Sequence, residues 1–202
     1  GRWVVSHTAG ASTWEHAVAG LDQRLTISVA PGDPVKFMQL TLTNTSDVPR
    51  RLTAFGYVEW ILGPPQAGVK RFVTTEVDAA TGALLARNVY TSEFRDRVAF
   101  FVATEPPRAF TCDRAEFIGR NRTLARPLAL GLDALSNRRG AGLDPCAALQ
   151  VALTLAPRET RSVTFVLGQG RDRADACALA ARYVSPPAVA QAHRDNPQMW
   201  AG

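Results

Sequence analysis

The sequence predicts a mainly β protein, an antiparallel β-sandwich with a short C-terminal helical tail. Apolar and polar residues alternate in many segments, which is the period-two pattern of strands. The segment 51–60 carries large side chains at both phases of the alternation, so both of its faces are expected to be covered. Covering both faces favours two stacked sheets over one open sheet. After Gly168 the alternation stops and helix-forming residues follow.

The run 35–63 predicts two strands joined by a polar turn. Met38, Leu40 and Leu42 share one face of the first strand. The turn is expected over Asn44–Asp47, because Asn, Ser and Asp side chains hydrogen-bond the backbone of tight turns. We expect Trp60, near the end of the second strand, to pack in the core.

Six further segments have the residue pattern of strands. They are 25–29, 73–77, 83–88, 98–103, 149–155 and 163–167. The loop 78–82 is typical of a hairpin, with Gly82 able to take a positive φ. The turn at 157–160 predicts a second hairpin between the last two of these strands.

Two helices are predicted after the strands. Asp172 can cap a helix over 174–183, and Asp175 then lies in its first turn, where a negative charge is favourable. Ser185 followed by Pro186 predicts a second helix start, and Pro197 is expected to end or kink that helix.

Composition and charge exclude several classes of function. The chain has 202 residues, 46% of them hydrophobic, and a net charge of +5 that comes almost entirely from arginines spread along the sequence. A nucleic-acid-binding protein usually concentrates its basic residues in one stripe with a recognisable motif, and this chain has neither. No apolar stretch approaches the roughly 20 residues that a membrane span needs. We therefore expect no nucleic-acid partner and no membrane contact by this segment.

Catalytic and metal sites are not predicted within the chain. Three cysteines with wide spacing, Cys112, Cys146 and Cys177, fit free thiols in a reducing cytoplasm better than disulfides or a zinc site. Three histidines show no metal or triad spacing. We expect the carboxylates in structured surroundings to serve in turns, caps and ion pairs, and these are Glu59, Glu76, Asp113, Glu116 and Asp144.

Six stretches, in order along the chain, together resemble one family. They are DPVKFMQLTLTNTSDVPRRL, YVEWILG, VTTEVDAATGALLARN, EFIGRNRTLARP, GAGLDPCAALQVALTLAP and ETRSVTFVLGQG. The resemblance, from about Leu25 to Gly170, is to the N-terminal β-sandwich domain of glycoside hydrolase family 94, formerly glycosyltransferase family 36. It is strongest to the cyclic β-1,2-glucan synthase and cellobiose phosphorylase group. The stretch 64–68 departs from the family pattern.

The resemblance implies a fold and a domain organisation. It implies a galactose mutarotase-like supersandwich over residues 1–170, truncated because its early strands are missing. Residues 171–202 would then be a helical linker toward an (α/α)6 barrel. In the family the barrel carries the catalytic Asp, and inorganic phosphate attacks the sugar in the phosphorylases. The resemblance thus implies no catalytic residue and no cofactor here, with phosphate as a co-substrate of a phosphorylase parent.

The resemblance also indicates substrate-binding residues in the loop Thr111–Pro127, because loops of this domain lie near the sugar site in family members. Asn121 offers donors and an acceptor to sugar hydroxyls, and Arg114, Arg120 and Arg122 offer charged donors. The alternative is that these arginines pair with neighbouring carboxylates and only hold the loop.

The expected function is that of a non-catalytic, carbohydrate-associated domain of a glycosyltransferase or phosphorylase that acts on β-glucans. Expected partners are a β-glucan oligosaccharide bound through the parent enzyme, the C-terminal catalytic domain and a second copy in a homodimer. The expected location is cytoplasmic, at the inner face of the membrane for a glucan synthase parent. A free-standing carbohydrate-binding module is the alternative.

Overall fold

The structure is a computed structural model that describes residues 2–63, 68–90 and 93–199, with the backbone alone for 197–199. Its strands are β1 (Val4–Thr8), β2 (Ala11–Val18), β3 (Leu21–Val29), β4 (Val35–Asn44), β5 (Arg50–Glu59), β6 (Val73–Val77), β7 (Leu84–Asn88), β8 (Val98–Ala103), β9 (Ala109–Asp113), β10 (Pro145–Leu155) and β11 (Thr160–Gly170). Its α-helices are α1 (Arg114–Phe117), α2 (Arg173–Tyr183) and α3 (Pro186–Met199), and 3-10 turns cover Val69–Phe72 and Leu128–Gly131.

The strands form two stacked antiparallel sheets. The larger sheet has eight strands in the order β1-β2-β3-β4-β11-β8-β7-β6, and the smaller has three in the order β5-β10-β9. Between them lies a core that includes Leu42, Phe101, Leu149 and Phe165. The prediction of a mainly β antiparallel sandwich is confirmed.

The sheets approach closely at Gly56 on β5. A Cβ atom at this position would lie 2.2 Å from Cδ1 of Phe165 on β11, which is too close for any side chain. Glycine is therefore required at this contact so that the phenyl ring can pack against the backbone of the opposite sheet.

Helices and a long loop cover the outer faces of the sandwich. Helices α2 and α3 pack on the eight-stranded sheet, where Phe37 of β4 contacts Tyr183 of α2 with ring centroids 5.2 Å apart. Asp172 caps α2 as predicted, accepting a hydrogen bond from the backbone N–H of Asp175 at 2.8 Å. On the three-stranded sheet, Phe117 and Ile118 pack from the segment that follows β9.

The hairpin predicted over 73–88 is confirmed. β6 and β7 pair antiparallel with Val73 opposite Asn88, and Gly82 in the intervening loop has a φ of 72°. Asp78 closes that loop by accepting a hydrogen bond from the hydroxyl of Thr81 at 2.7 Å. The family departure at 64–68 falls largely on 64–67, which lie outside the described residues.

The second predicted hairpin is wrong. β10 and β11 are both strands, but β10 pairs with β5 and β9, whereas β11 pairs with β4 and β8. The turn at 157–160 therefore carries the chain from one sheet to the other. Likewise β4 and β5 lie in different sheets, so the predicted polar turn is also a crossover.

Two other features differ from the prediction. The polar N-terminal segment forms β1 and β2, whose backbones complete the edge of the large sheet although few of their side chains are buried. β9 was not predicted, because its last three residues were assigned to the loop Thr111–Pro127. Helix α3 runs through Pro197 to Met199 and does not stop at the proline itself, and the predicted end or kink near Pro197 stays a prediction.

Asn44, at the end of β4, holds the two crossovers together. Its amide group donates to the carbonyl oxygens of Val48 at 2.8 Å and Ala156 at 3.0 Å, and its Oδ1 accepts from the N–H of Ser46 at 3.1 Å. The side chain is fully buried. One residue therefore satisfies backbone groups on both connections between the sheets.

We expect Asn44→Ala to lower the free energy of unfolding by about 2–3 kcal/mol, because buried carbonyl oxygens would lose their donors. Urea denaturation measures the loss. Thr43→Ala is the matched control, since the Thr43 hydroxyl bonds Thr160 in an exposed pair and its removal should cost less than about 0.5 kcal/mol. Equal losses in the two variants would contradict the role assigned to Asn44.

His193 on α3 is partly buried, and its Nε2 atom is shielded from solvent. Its ring lies 5.4 Å from that of Phe37, and its Nε2 has no hydrogen-bond partner within the described part of the chain. Burial disfavours the charged imidazolium and so lowers the pKa of His193 below its ordinary value of 6.5. The folded state thus keeps this ring neutral.

The protein should therefore lose stability as the pH falls below about 6.5, because the unfolded state binds a proton there that the folded state resists. His193→Phe keeps a ring against Phe37 but cannot be protonated, so its unfolding free energy should fall less between pH 7 and pH 5. Denaturant titrations of both proteins across that range measure the difference. Parallel pH profiles would show that His193 does not contribute.

Candidate functional site

The predicted loop Thr111–Pro127 starts with the last three residues of β9 and continues into helix α1, which is capped at its start. Asp113 caps α1 by accepting a hydrogen bond from the N–H of Ala115 at 3.0 Å. The ring of Phe117 at the other end stacks on Tyr57 of β5, with centroids 4.6 Å apart. This stacking holds the start of the loop against the three-stranded sheet.

Arg114 is the centre of a cluster of charged residues at the end of β5. Its Nε donates to Glu59 at 2.9 Å and its Nη1 to Asp144 at 3.3 Å. Glu59 also accepts from the hydroxyl of Tyr57 at 2.9 Å and lies 3.6 Å from the ammonium of Lys70. The cluster joins β5, α1, the segment before β10 and the 3-10 turn at 69–72.

The charges in this cluster stabilise each other. Burial alone would raise the pKa of Glu59, but hydrogen bonds from Arg114 and Tyr57 outweigh burial and hold that pKa below its ordinary value. Hydrogen bonding to Glu59 raises the pKa of Arg114. Burial, and then donation to Glu59, raise the pKa of Tyr57, so its hydroxyl remains protonated. The lowered pKa favours the ionised form of Glu59, which does not suit a general acid.

The other three predicted residues lie in an exposed turn. Gly119, with a φ of 90°, turns the chain out of α1, and Arg120, Asn121 and Arg122 follow it with exposed side chains. The N–H of Leu128 donates to the carbonyl oxygen of Ile118 at 3.0 Å and closes the base of the turn. We call residues 119–127 the arginine turn.

The side chains of the arginine turn are not engaged inside the domain. Over residues 2–63, 68–90 and 93–199, no hydrogen bond or ion pair involves the side chains of Arg120, Asn121, Arg122 or Arg126. The structure thus separates the four predicted residues. Arg114 pairs with carboxylates, as the alternative interpretation held, whereas the side chains of the other three are exposed to solvent.

A second loop, residues 135–145, leads into β10 and lies beside the end of β9 and α1, where the predicted loop starts. The N–H of Cys112 donates to the carbonyl oxygen of Arg138 at 2.8 Å, and the guanidinium of Arg138 bonds Asp113 at 2.8 Å. Glu116 of α1 accepts from the hydroxyl of Ser136 at 2.7 Å. These bonds make one supported surface from the two loops.

The five carboxylates that the sequence analysis named are all engaged in structural contacts, as predicted. Glu59 and Asp144 bond Arg114, Glu76 bonds Arg173, Asp113 caps α1, and Glu116 bonds Thr111 and Ser136. No cluster of three or more metal-ligating residues occurs in the described part of the chain. None of its helices has the length and apolar character that a membrane span requires.

The tryptophans and cysteines divide between core and surface. Trp60 is 3% exposed and belongs to the core between the sheets, as predicted. Trp3 is 57% exposed and stacks on His16 at a centroid distance of 4.5 Å. Cys112 and Cys146 are buried free thiols, and burial raises the pKa of Cys112 to about 11, so it stays protonated and unreactive.

Sequence reasoning missed Tyr57 and Lys70 as members of the charged cluster. Tyr57 and Glu59 alternate with core residues on β5, so they share its outer face. This spacing could have predicted that polar side chains share the outer face at the end of β5. Lys70 carries no such signal, because its position depends on the 3-10 turn that follows residues 64–67.

The comparisons with known proteins agree with this architecture. The family model described as "Glycosyl hydrolase 94, supersandwich domain" matches residues 1–186. The cyclic beta-(1,2)-glucan synthase NdvB of Rhizobium meliloti (strain 1021) is 35% identical over 136 residues, which are 67% of this chain and 5% of that protein. The N,N'-diacetylchitobiose phosphorylase of Vibrio proteolyticus is 25% identical over 175 residues, which are 84% of this chain and 22% of that protein.

A solved structure supports the fold. A candidate kojibiose phosphorylase from the human microbiome aligns with a TM-score of 0.51 and 9% identity, covering 95% of this chain and 23% of that one. The chain thus spans a quarter or less of the length of each of these relatives. The match over residues 1–186 includes the N-terminal strands that lay outside the recognised motifs. The chain belongs to the supersandwich domain family of glycosyl hydrolase 94.

Proposed function

We propose that this chain is a non-catalytic domain of a cytoplasmic enzyme that acts on β-glucans, a cyclic glucan synthase or a phosphorylase. The domain would form one wall of the sugar site and part of a domain or dimer interface. Inorganic phosphate would be a co-substrate of a phosphorylase parent. The catalytic acid would lie in the barrel that follows the helices.

One observation carries this proposal: a hydrogen bond closes the base of the arginine turn, and the polar side chains of the turn have no partner among the described residues. A sugar site needs several convergent donors and acceptors that are not already satisfied. Arg120, Asn121 and Arg122 meet that condition, and the capped helix α1 and the closed base of the turn reduce the cost of ordering them on binding. The names of the relatives supply the carbohydrate class.

Arg114 has a different role in the proposal. It fixes the position of α1, from which the turn projects, and it makes no direct contact with sugar. Removing Arg114 would leave Glu59 without its strongest donor. The two kinds of arginine can therefore be distinguished by measuring turnover and stability on the same variants.

In the full-length enzyme, Arg120→Ala and Asn121→Ala should each lower kcat/KM at least about fivefold with little change in melting temperature, because a substrate hydroxyl loses a donor. Arg114→Ala should instead lower the free energy of unfolding by about 1 kcal/mol, a value limited by the partial exposure of the cluster. Steady-state kinetics and thermal melts on all three variants test this assignment. Unchanged kcat/KM in both turn variants would remove the arginine turn from the sugar site.

The purified 202-residue chain should release no sugar 1-phosphate from β-1,2- or β-1,4-glucan oligosaccharides in phosphate buffer. The reason is that every carboxylate with a structured environment is held in a cap, a turn or an ion pair, and none is available as a general acid. Chromatographic detection of glucose 1-phosphate measures the activity. Turnover that persists after repurification would show that the chain is itself an enzyme.

A further inference from the structure

The large sheet extends three strands beyond the small one. The contact between Gly56 and Phe165 places β5 over β11, and β10 contacts β8 and β6. The small sheet therefore runs from β11 toward β6, away from β1, β2 and β3. Among the described residues, no side chain of β1 or β2 and only Leu21 of β3 packs against the hydrophobic core.

The strand register decides which side chains lie on the uncovered face. Leu40 of β4 packs against the core between the sheets, and its row continues across the large sheet through Leu25 and Trp14 to Val5. The next row adds Ile27 of β3. The side chains of this face on β1–β3 are exposed or only partly buried, and Val5 is 47% exposed. We call this side of β1–β3 the open face.

The charged side chains of these three strands lie on the opposite face. They are Glu15, Asp22 and Arg24. Glu15 and Arg24 are partners in the register and form an ion pair at 2.7 Å, and Asp22 is two residues from Arg24 on the same strand. Because successive side chains of a strand point to opposite faces, the open face carries no Lys, Arg, Asp or Glu.

Two free strand edges border the open face. β1 is the last strand of the large sheet, and β5 is the last strand of the small one. Among the described strands, β1 pairs only with β2 and β5 only with β10. Such edges present unpaired backbone groups to another chain, and β1 contains neither the lysine nor the proline that commonly blocks this pairing.

A second copy of the chain fits the open face. In a two-fold contact the same surface meets itself, so it must not repel itself, and the uncharged open face meets that condition. When two open faces pack together, β1–β3 of each copy take the place beside β5 of the other. A free edge then meets a free edge on both sides. We propose that the chain forms a two-fold dimer through its open faces, in which each copy completes the sandwich of the other.

The dimer specifies the interface within the proposed function and rests on that proposal only for its place in the enzyme, since its evidence is the fold. Burial of apolar side chains would drive the association. Three strands make a contact at the small end of the range for specific complexes, so we expect a Kd of about 10 µM. The affinity should change little with salt, because the interface contains no ion pair.

Two neighbouring valines provide a matched pair of variants. Val4 and Val5 both lie on β1 and are 54% and 47% exposed, but Val5 lies on the open face and Val4 on the opposite one. In Val5→Lys an ammonium group would be buried in the apolar contact, whereas in Val4→Lys it would remain in water. Circular dichroism checks that both variants are folded.

Sedimentation equilibrium of the purified 202-residue chain between about 1 and 300 µM measures the association. We expect the unmodified chain and Val4→Lys to dimerise with similar affinity. We expect Val5→Lys to dimerise at least about tenfold more weakly, because its ammonium group loses water in the contact.

Three results would overturn the dimer. If the unmodified chain stays monomeric over the whole range, the open face is left to other strands from outside residues 1–202. Equal weakening in the two lysine variants would place the contact elsewhere, and growth beyond a dimer would mean that the edges pair without closing. The sedimentation result does not depend on kcat/KM of the arginine-turn variants in the full-length enzyme. Failure of the dimer and failure of the proposed sugar site can therefore be distinguished.

Discussion

The buried amide of Asn44 is the interaction on which the arrangement of the two sheets depends. The chain passes from the large sheet to the small one after β4, and it returns after β10. Asn44 bonds the carbonyl oxygens of both connections, at Val48 and Ala156, and so fixes β5 and β10 relative to β4 and β11. The close contact between Gly56 and Phe165 then sets the separation of the sheets. Asn44 lies at the opposite end of β5 from the charged cluster, whereas Gly56 is adjacent to Tyr57 of that cluster, and together they decide where the cluster lies.

The position of the charged cluster follows from this arrangement of the two sheets. β5 runs from the crossover at Arg50 to Glu59, so its far end presents Glu59 and Tyr57 on the outer face and Trp60 toward the core. β10 and β9 carry the neighbouring ends, which bring Asp144 and α1 to the same place. The charged cluster therefore lies where β5 and β9 end and β10 begins.

Sequence patterns predicted most of the strands but not all of their partners. The alternation in 149–155 and 163–167 is the same whether the strands pair with each other or face each other across a core. The turn at 157–160 contains Arg158 with a φ of 63°, and nothing in Pro-Arg-Glu-Thr distinguishes a hairpin from a crossover. By contrast, Asp78 and Gly82 form a locally determined loop, and the hairpin over 73–88 was predicted correctly. Local chemistry therefore specified elements, whereas the pairing of β10 and β11 depended on contacts distant in sequence.

Dependence on contacts distant in sequence also explains why, within the described part of the chain, Arg114 forms ion pairs and the other candidate residues do not. Arg114, Arg120 and Arg122 are chemically identical, and their spacing in the sequence does not reveal which of them meets a carboxylate. Arg114 does so because α1 starts at the end of β9 and places its first residue between Glu59 and Asp144. The positive φ of Gly119 then directs the chain away from the sheet, so the later residues leave the reach of those carboxylates. An arginine already satisfied by two carboxylates gains little from a sugar hydroxyl, whereas an exposed, unpaired one exchanges only water for the ligand. The division between a carboxylate-paired arginine and the exposed arginines therefore depends on the backbone at two points, the cap at Asp113 and the turn at Gly119.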